Sequence, residues 1–76
     1  MFTVQCIVEL QLGCTALAWP CTRRAIIILT HEPSDADLCA TKELAEMLAL
    51  ECLDGYPTVI RACEVVPWGG CYASDF

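Results

Sequence analysis

Seven cysteines and a single histidine are the side chains of this chain best suited to metal binding or nucleophilic chemistry. Structural zinc sites usually draw ligands from close pairs such as Cys-x2-Cys, whereas six residues separate the closest pair here, Cys14 and Cys21. We therefore expect no cofactor, and thiols that behave as small buried hydrophobic groups. A small metal-binding protein stays open as an alternative, because ligands can converge from distant positions. The cysteines are Cys6, Cys14, Cys21, Cys39, Cys52, Cys63 and Cys71.

Two arrangements could in principle support catalysis. Cys39 is near the start of a predicted helix and His31 could lie close to it, as a nucleophile and its base would. Cys39 lies beyond the first helical turn, however, and neighbouring carboxylates would raise the pKa of its thiol. Glu43 and Glu46 are three residues apart, but they fall on a solvated face that seldom perturbs a carboxyl pKa. The sequence therefore predicts a protein that is not an enzyme.

The stretch 33–55 concentrates the acidic charge of the chain. It holds six of the ten acidic residues and one of the four basic residues. Apolar side chains lie among these charges, and interfaces often mix such anchors with a polar rim. The acidic face could simply keep an apolar chain soluble, or it could bind a basic partner. The second interpretation predicts these partner-binding residues: Asp35, Cys39, Glu43, Glu46, Met47, Leu50 and Asp54.

The net charge of −6 bears on the class of partner. Direct nucleic-acid binding needs a basic footprint, and four Lys and Arg residues do not supply one. An acidic chain of this size is better suited to a basic protein surface. The longest apolar run covers 25–29, far below the roughly 20 residues of a membrane span. The start of the chain also has no signal-peptide pattern, so we expect no membrane association and a cytoplasmic location.

The elements that would position these residues follow from periodicity and punctuation. Alternating apolar residues predict a strand over 2–12, followed by a connection over 13–22. The β-branched run predicts a central strand over 23–30, and 58–66 predicts a third strand. Ser34 is a suitable N-cap, and Gly55 with Pro57 ends the helical pattern, so we expect a helix over 35–54.

These elements predict an α+β fold of one domain: a two-layer sandwich with a three-stranded, largely antiparallel sheet packed on one helix. The order is β-β-α-β, and the first two strands should pair with each other. One face of the sheet would stay open or be closed by a second copy. Trp19 and Trp68 each border a proline and are expected to plug the ends of the core.

A compact acidic chain of this size and element order resembles the small inhibitors that bacteriophages make against host defences, such as anti-CRISPR proteins. The resemblance covers the outline of the whole chain, with no shared motif, and it carries over no functional residue. It implies a phage protein that acts in the bacterial cytoplasm. Such a protein docks on a basic surface of a nucleic-acid-handling defence complex and blocks nucleic-acid binding or a conformational change. The alternative is a homo-oligomeric structural or accessory module, such as a homodimer paired through 25–29.

Overall fold

The computed structural model describes residues 1–68, in which four antiparallel strands form one sheet and a helix packs on one of its faces. The strands lie side by side in the order β3-β2-β1-β4. The predicted α+β class with an antiparallel sheet is confirmed, but the prediction of three strands is wrong. The elements are β1 (Phe2–Gln11), β2 (Cys14–Arg23), β3 (Ile26–Thr30), a 3-10 turn (Pro33–Asp35), α1 (Lys42–Gly55) and β4 (Ile60–Pro67). Cys71 lies outside the described residues.

The segment predicted as a connection, 13–22, is mostly the strand β2. It pairs with β1 through a two-residue loop in which Gly13 takes a positive φ of 79°. A second two-residue loop joins β2 to β3, and both of its residues, Arg24 and Ala25, have positive φ (54° and 65°). Type I′ hairpin turns need this backbone and favour Asn-Gly, whereas other residues lose about 1 kcal/mol each there. The sequence therefore carried no turn signal at 24–25.

The strand predicted as central is at the edge of the sheet. β3 pairs with β2, and the described residues place no strand on its other side. The Tyr56 hydroxyl, just beyond α1, donates a hydrogen bond of 2.7 Å to the Ile27 carbonyl. Pro20 has no amide proton, so its cross-strand pair with Leu29 must be a non-hydrogen-bonded one. By alternation, the Ile27 carbonyl points away from β2, and Tyr56 therefore covers part of the exposed edge.

The extended segment 37–39 fills a gap between β1 and β2. The gap exists because these two strands pair only from Cys6 and Ala18 onward. The Asp37 amide donates to the Pro20 carbonyl at 2.9 Å. The Asp37 carboxylate accepts from the Thr22 amide at 2.9 Å and from the Thr22 hydroxyl. Cys39 exchanges both backbone hydrogen bonds with Phe2, at 2.8 and 2.7 Å. Since these backbone groups are used by the sheet, the chain cannot be helical here.

The helix therefore begins seven residues later than predicted. Thr41 is the N-cap, and its hydroxyl accepts a hydrogen bond of 3.2 Å from the Leu44 amide. Ser34, the predicted cap, lies instead in the short 3-10 turn. The end of the helix is as expected: α1 stops at Gly55, and the Tyr56 amide bonds the Cys52 carbonyl at 2.9 Å.

The core lies between the sheet and the inner side of α1. Alternate residues of β1 point into it, as the period-two pattern predicted, and they meet two small side chains of the helix. Small residues there let α1 approach the sheet closely. The buried cluster consists of Val4, Cys6, Val8, Ala18, Ala45, Cys52 and Ile60. Within residues 1–68, no helix has the length and apolar character needed to cross a membrane.

Candidate protein-binding surface

One side of α1 is turned away from the core along its whole length. Successive helical residues are separated by 100°, so the positions opposite Ala45 and Cys52 form a stripe of their own. All of these side chains are exposed. We call them the outer α1 surface: Glu43, Glu46, Met47, Leu50, Glu51 and Asp54.

The outer α1 surface has a regular arrangement of charge and apolar contact. Residues four apart are neighbours on a helix, so Met47 lies between Glu43 and Glu51 in one row. Leu50 lies between Glu46 and Asp54 in the adjacent row. Met47 is 59% exposed and Leu50 67% exposed. Each apolar side chain is thus flanked by a carboxylate one turn before it and one turn after it.

The four carboxylates of this surface make no ion pair with any described residue. Between residues 1 and 68, the salt bridge present joins Arg61 to Glu9 on the sheet. Four carboxylates against the single ammonium group of Lys42 leave α1 with a formal charge of −3. Glu43 in the first turn is favoured by the helix dipole, whereas Asp54 lies near the negative end. The surface therefore projects an uncompensated negative potential.

Two of the seven predicted binding residues lie elsewhere. Asp35 is exposed in the 3-10 turn, and its charge acts on Arg23 rather than adding to the outer α1 surface. A hydrogen bond to Cys21 and the charges of Cys21 and Asp35 raise the pKa of Arg23. Cys39 is half-buried in the gap between β1 and β2, where burial and then Asp37 raise its thiol pKa.

Asp35 and Cys39 lie outside the outer α1 surface because the helix begins only at Lys42. The other five predicted residues do share one side of α1, as the periodicity indicated. Glu51 was missed, although its position four residues after Met47 could have identified it.

The face of the sheet opposite α1 carries a second, chemically different surface. Ile7 and Leu17 lie directly across from each other on β1 and β2, and they are 42% and 46% exposed. Ile28 on β3 is 41% exposed and, by strand alternation, lies on the same face. We call these three residues the open sheet face. No described helix covers it. Trp19, expected in the core, is buried beside it, and its indole nitrogen has no described hydrogen-bond partner.

Three cysteines meet beneath α1. Cys6 and Cys52 are fully buried and Cys63 is half-buried. The sulfur atoms of Cys6 and Cys63 are 3.1 Å apart. Hydrogen bonding to Cys52 and burial raise the pKa of Cys6, and burial raises the pKa of Cys63. Among the described residues, no group of three or more His, Cys, Asp or Glu side chains is arranged to hold a metal ion.

No protein-family model, no curated protein and no solved structure matches this chain. What it does must therefore be inferred from its own residues and contacts.

Proposed function

We propose that this chain is a small acidic binding protein that docks the outer α1 surface on a basic surface of another protein. The observation that carries the proposal is the pair of rows in which exposed Met47 and Leu50 alternate with carboxylates that make no ion pair within residues 1–68. Exposing a methionine and a leucine in this way gives an isolated molecule no stability. In a complex, both could fill apolar pockets while the carboxylates meet Lys and Arg around them.

The partner class proposed is a basic, nucleic-acid-binding surface of a bacterial defence complex. Lys and Arg that bind phosphates also bind carboxylates through charge-assisted hydrogen bonds. Four carboxylates spread over about three turns of a rigid helix could therefore compete with a nucleic acid for one basic groove. The size and acidic charge of the chain resemble those of anti-CRISPR inhibitors, which supports an inhibitory role. The chain itself is not expected to bind nucleic acid.

Charge on this surface should govern the rate of association as well as the affinity. Complementary potentials accelerate encounter, and that acceleration falls as salt screens the charges. The apolar contacts of Met47 and Leu50 are less sensitive to salt. Binding should therefore weaken with salt chiefly through slower association, while dissociation changes less.

The experiment compares two double variants that change the net charge equally. Glu43→Lys with Glu46→Lys, and Glu32→Lys with Glu64→Lys, each take the formal charge from −6 to −2. All four positions are exposed, but only the first pair belongs to the outer α1 surface. Each tagged protein is used for affinity capture from a nuclease-treated bacterial lysate, with quantitative mass spectrometry of the bound proteins.

We expect one basic partner to bind the unchanged protein and the Glu32/Glu64 variant, and to be lost from the Glu43/Glu46 variant. The purified partner should then lose nucleic-acid binding when the unchanged protein is added. Equal retention by both variants would show that α1 is not the interface. Equal loss from both would show a dependence on total charge alone.

The open sheet face favours a second candidate, a homo-oligomeric accessory module in which two copies stack through Ile7, Leu17 and Ile28. Pairing through 25–29, expected from the sequence, is less favourable because Tyr56 already uses the Ile27 carbonyl at that edge. Sedimentation at micromolar concentration separates the candidates. A stable dimer abolished by Leu17→Asp would support the module, and a monomer would exclude it.

A further inference from the structure

We infer that Cys6 and Cys63 form an oxidation site, a dithiol that a hydroperoxide converts into an intramolecular disulfide joining β1 to β4. The two residues are 57 positions apart in sequence and directly opposite each other in the sheet. Nothing in this inference depends on what the outer α1 surface binds.

The backbone places the two residues at the right kind of position. Both backbone groups of Phe2 bond Cys39, on the side away from β4. The pair of Phe2 with Pro67 is therefore a non-hydrogen-bonded one. The same type recurs every two residues along each strand, at Val4 with Val65 and again at Cys6 with Cys63, so the two cysteines also form a non-hydrogen-bonded pair. The register shift in these strands comes only after Ile7.

Non-hydrogen-bonded pairs bring their Cα atoms to about 4.5 Å, within the range that disulfides span. The side chains agree with the backbone, since the Cys6 and Cys63 sulfurs are 3.1 Å apart. Closing a bond of about 2.05 Å needs a movement of roughly 1 Å shared between two side chains.

Accessibility sets the order of events. Cys63 is half-buried and Cys6 is fully buried, so a small oxidant such as hydrogen peroxide meets Cys63 first. The Cys63 thiolate takes one oxygen from the peroxide, forming a sulfenic acid and releasing hydroxide. The Cys6 thiolate then attacks the Cys63 sulfur, the S–O bond breaks, and hydroxide leaves. In sum, two thiols and one peroxide give one disulfide and two waters. Because the pKa values of Cys63 and Cys6 are both raised, both steps are slow at neutral pH.

The neighbouring cysteines define the competing outcomes. Cys52 on α1 also raises the pKa of Cys6 and could react with it instead, linking the helix to β1. Cys14 is exposed and will be oxidised readily, but the residue opposite it on β1 is Gln11. Cys14 is therefore the matched control for a thiol that reacts with peroxide and has no cysteine facing it.

The test uses the full chain, reduced, treated with hydrogen peroxide, alkylated under denaturing conditions and digested with trypsin and a glutamate-specific protease. Cleavage after Glu9, Arg61 and Glu64 isolates Cys6 in fragment 1–9 and Cys63 in fragment 62–64. Cys52 falls in a separate fragment, 52–61. We expect fragments 1–9 and 62–64 to be joined, with the mass of two hydrogen atoms lost.

Cys63→Ser should abolish this linkage, whereas Cys14→Ser should leave it unchanged. The linked protein should also melt roughly 10 °C higher or more, because the disulfide closes a long loop, and dithiothreitol should reverse the gain. Linkage of 1–9 to 52–61, or oxygen adducts without linkage, would each overturn the proposal.

Discussion

The outer α1 surface and the open sheet face are on opposite sides of the molecule. They differ in whether charged side chains separate their exposed apolar side chains. On α1, Met47 and Leu50 are each separated by carboxylates one turn away. On the sheet, Ile7 and Leu17 lie directly opposite each other on neighbouring strands with no charge between them. A helix presents its residues in rows four apart, whereas strand pairing brings like faces together. The first surface therefore suits a charged partner, and the second suits an apolar one.

The largest effect on stability is expected when a carboxylate is introduced on the inner side of α1. The same residue introduced on the outer side is the control. Ala45 is fully buried against the sheet, whereas Leu50 belongs to the outer α1 surface. Ala45→Glu should lower the free energy of unfolding by about 4 kcal/mol or more, because it buries an unpaired charge. Leu50→Glu should change it by less than about 0.5 kcal/mol. Urea unfolding followed by circular dichroism measures both, and similar losses would contradict the inner and outer assignment.

A smaller loss is expected where the chain passes from the sheet to the helix. Asp37→Ala removes the carboxylate that holds the Thr22 amide and hydroxyl, and should cost about 2 kcal/mol. Asp35→Ala changes an exposed carboxylate two residues earlier and should cost less than about 0.5 kcal/mol. Urea midpoints of the two variants provide the comparison. Equal midpoints would mean that the Asp37 carboxylate does not hold the extended segment 37–39 against β2.

A smaller effect on stability is expected at the residue where the helix starts. Thr41→Ala removes the observed N-cap and should cost about 1 kcal/mol. Ser34→Ala removes the cap expected from the sequence and should be close to neutral, since Ser34 lies in the 3-10 turn. Thermal unfolding of the two variants distinguishes the two helix starts. A larger loss for Ser34→Ala would favour the longer helix.

The smallest effect on stability, within about 1 kcal/mol, is expected on the open sheet face. Leu17→Thr with Ile28→Thr keeps strand-forming residues but removes most of the exposed apolar area. These changes should reduce the binding of a hydrophobic fluorescent dye and any self-association. Glu43→Lys with Glu46→Lys should leave both unchanged. If the helix variant alters dye binding more than the sheet variant does, the division of roles between the surfaces is wrong.

The correct predictions came from patterns that depend on local geometry. Period-two alternation identified β1, and Gly55 marked the end of α1. Five of the predicted binding residues share the outer α1 surface because helical periodicity alone fixes their relative directions. Cys39 and Asp35 were wrongly placed on the helix. The start of the helix also depends on hydrogen bonds that hold 37–39 against the sheet, which the local sequence does not show.

The strand β2 was missed for a related reason. Proline is unusual within a strand and residues other than glycine or asparagine are unusual in a two-residue hairpin loop, yet the tertiary structure accommodates both Pro20 and the loop at 24–25. Pro20 lies where β1 has diverged, so its missing amide proton has no strand partner to lose. Its carbonyl accepts from Asp37 instead. The positive φ values of Arg24 and Ala25 are strain that the paired strands on either side impose.

Local patterns of residues account for the α+β composition, the alternation of β1, the end of α1 and the acidic, partly apolar character of the outer α1 surface. Each of these depends on residues within a few positions of one another. Long-range contacts make 37–39 extended, place β3 at the sheet edge and set Cys6 opposite Cys63. These features depend on contacts between residues far apart in sequence, and no local pattern encodes which strand becomes the neighbour of which.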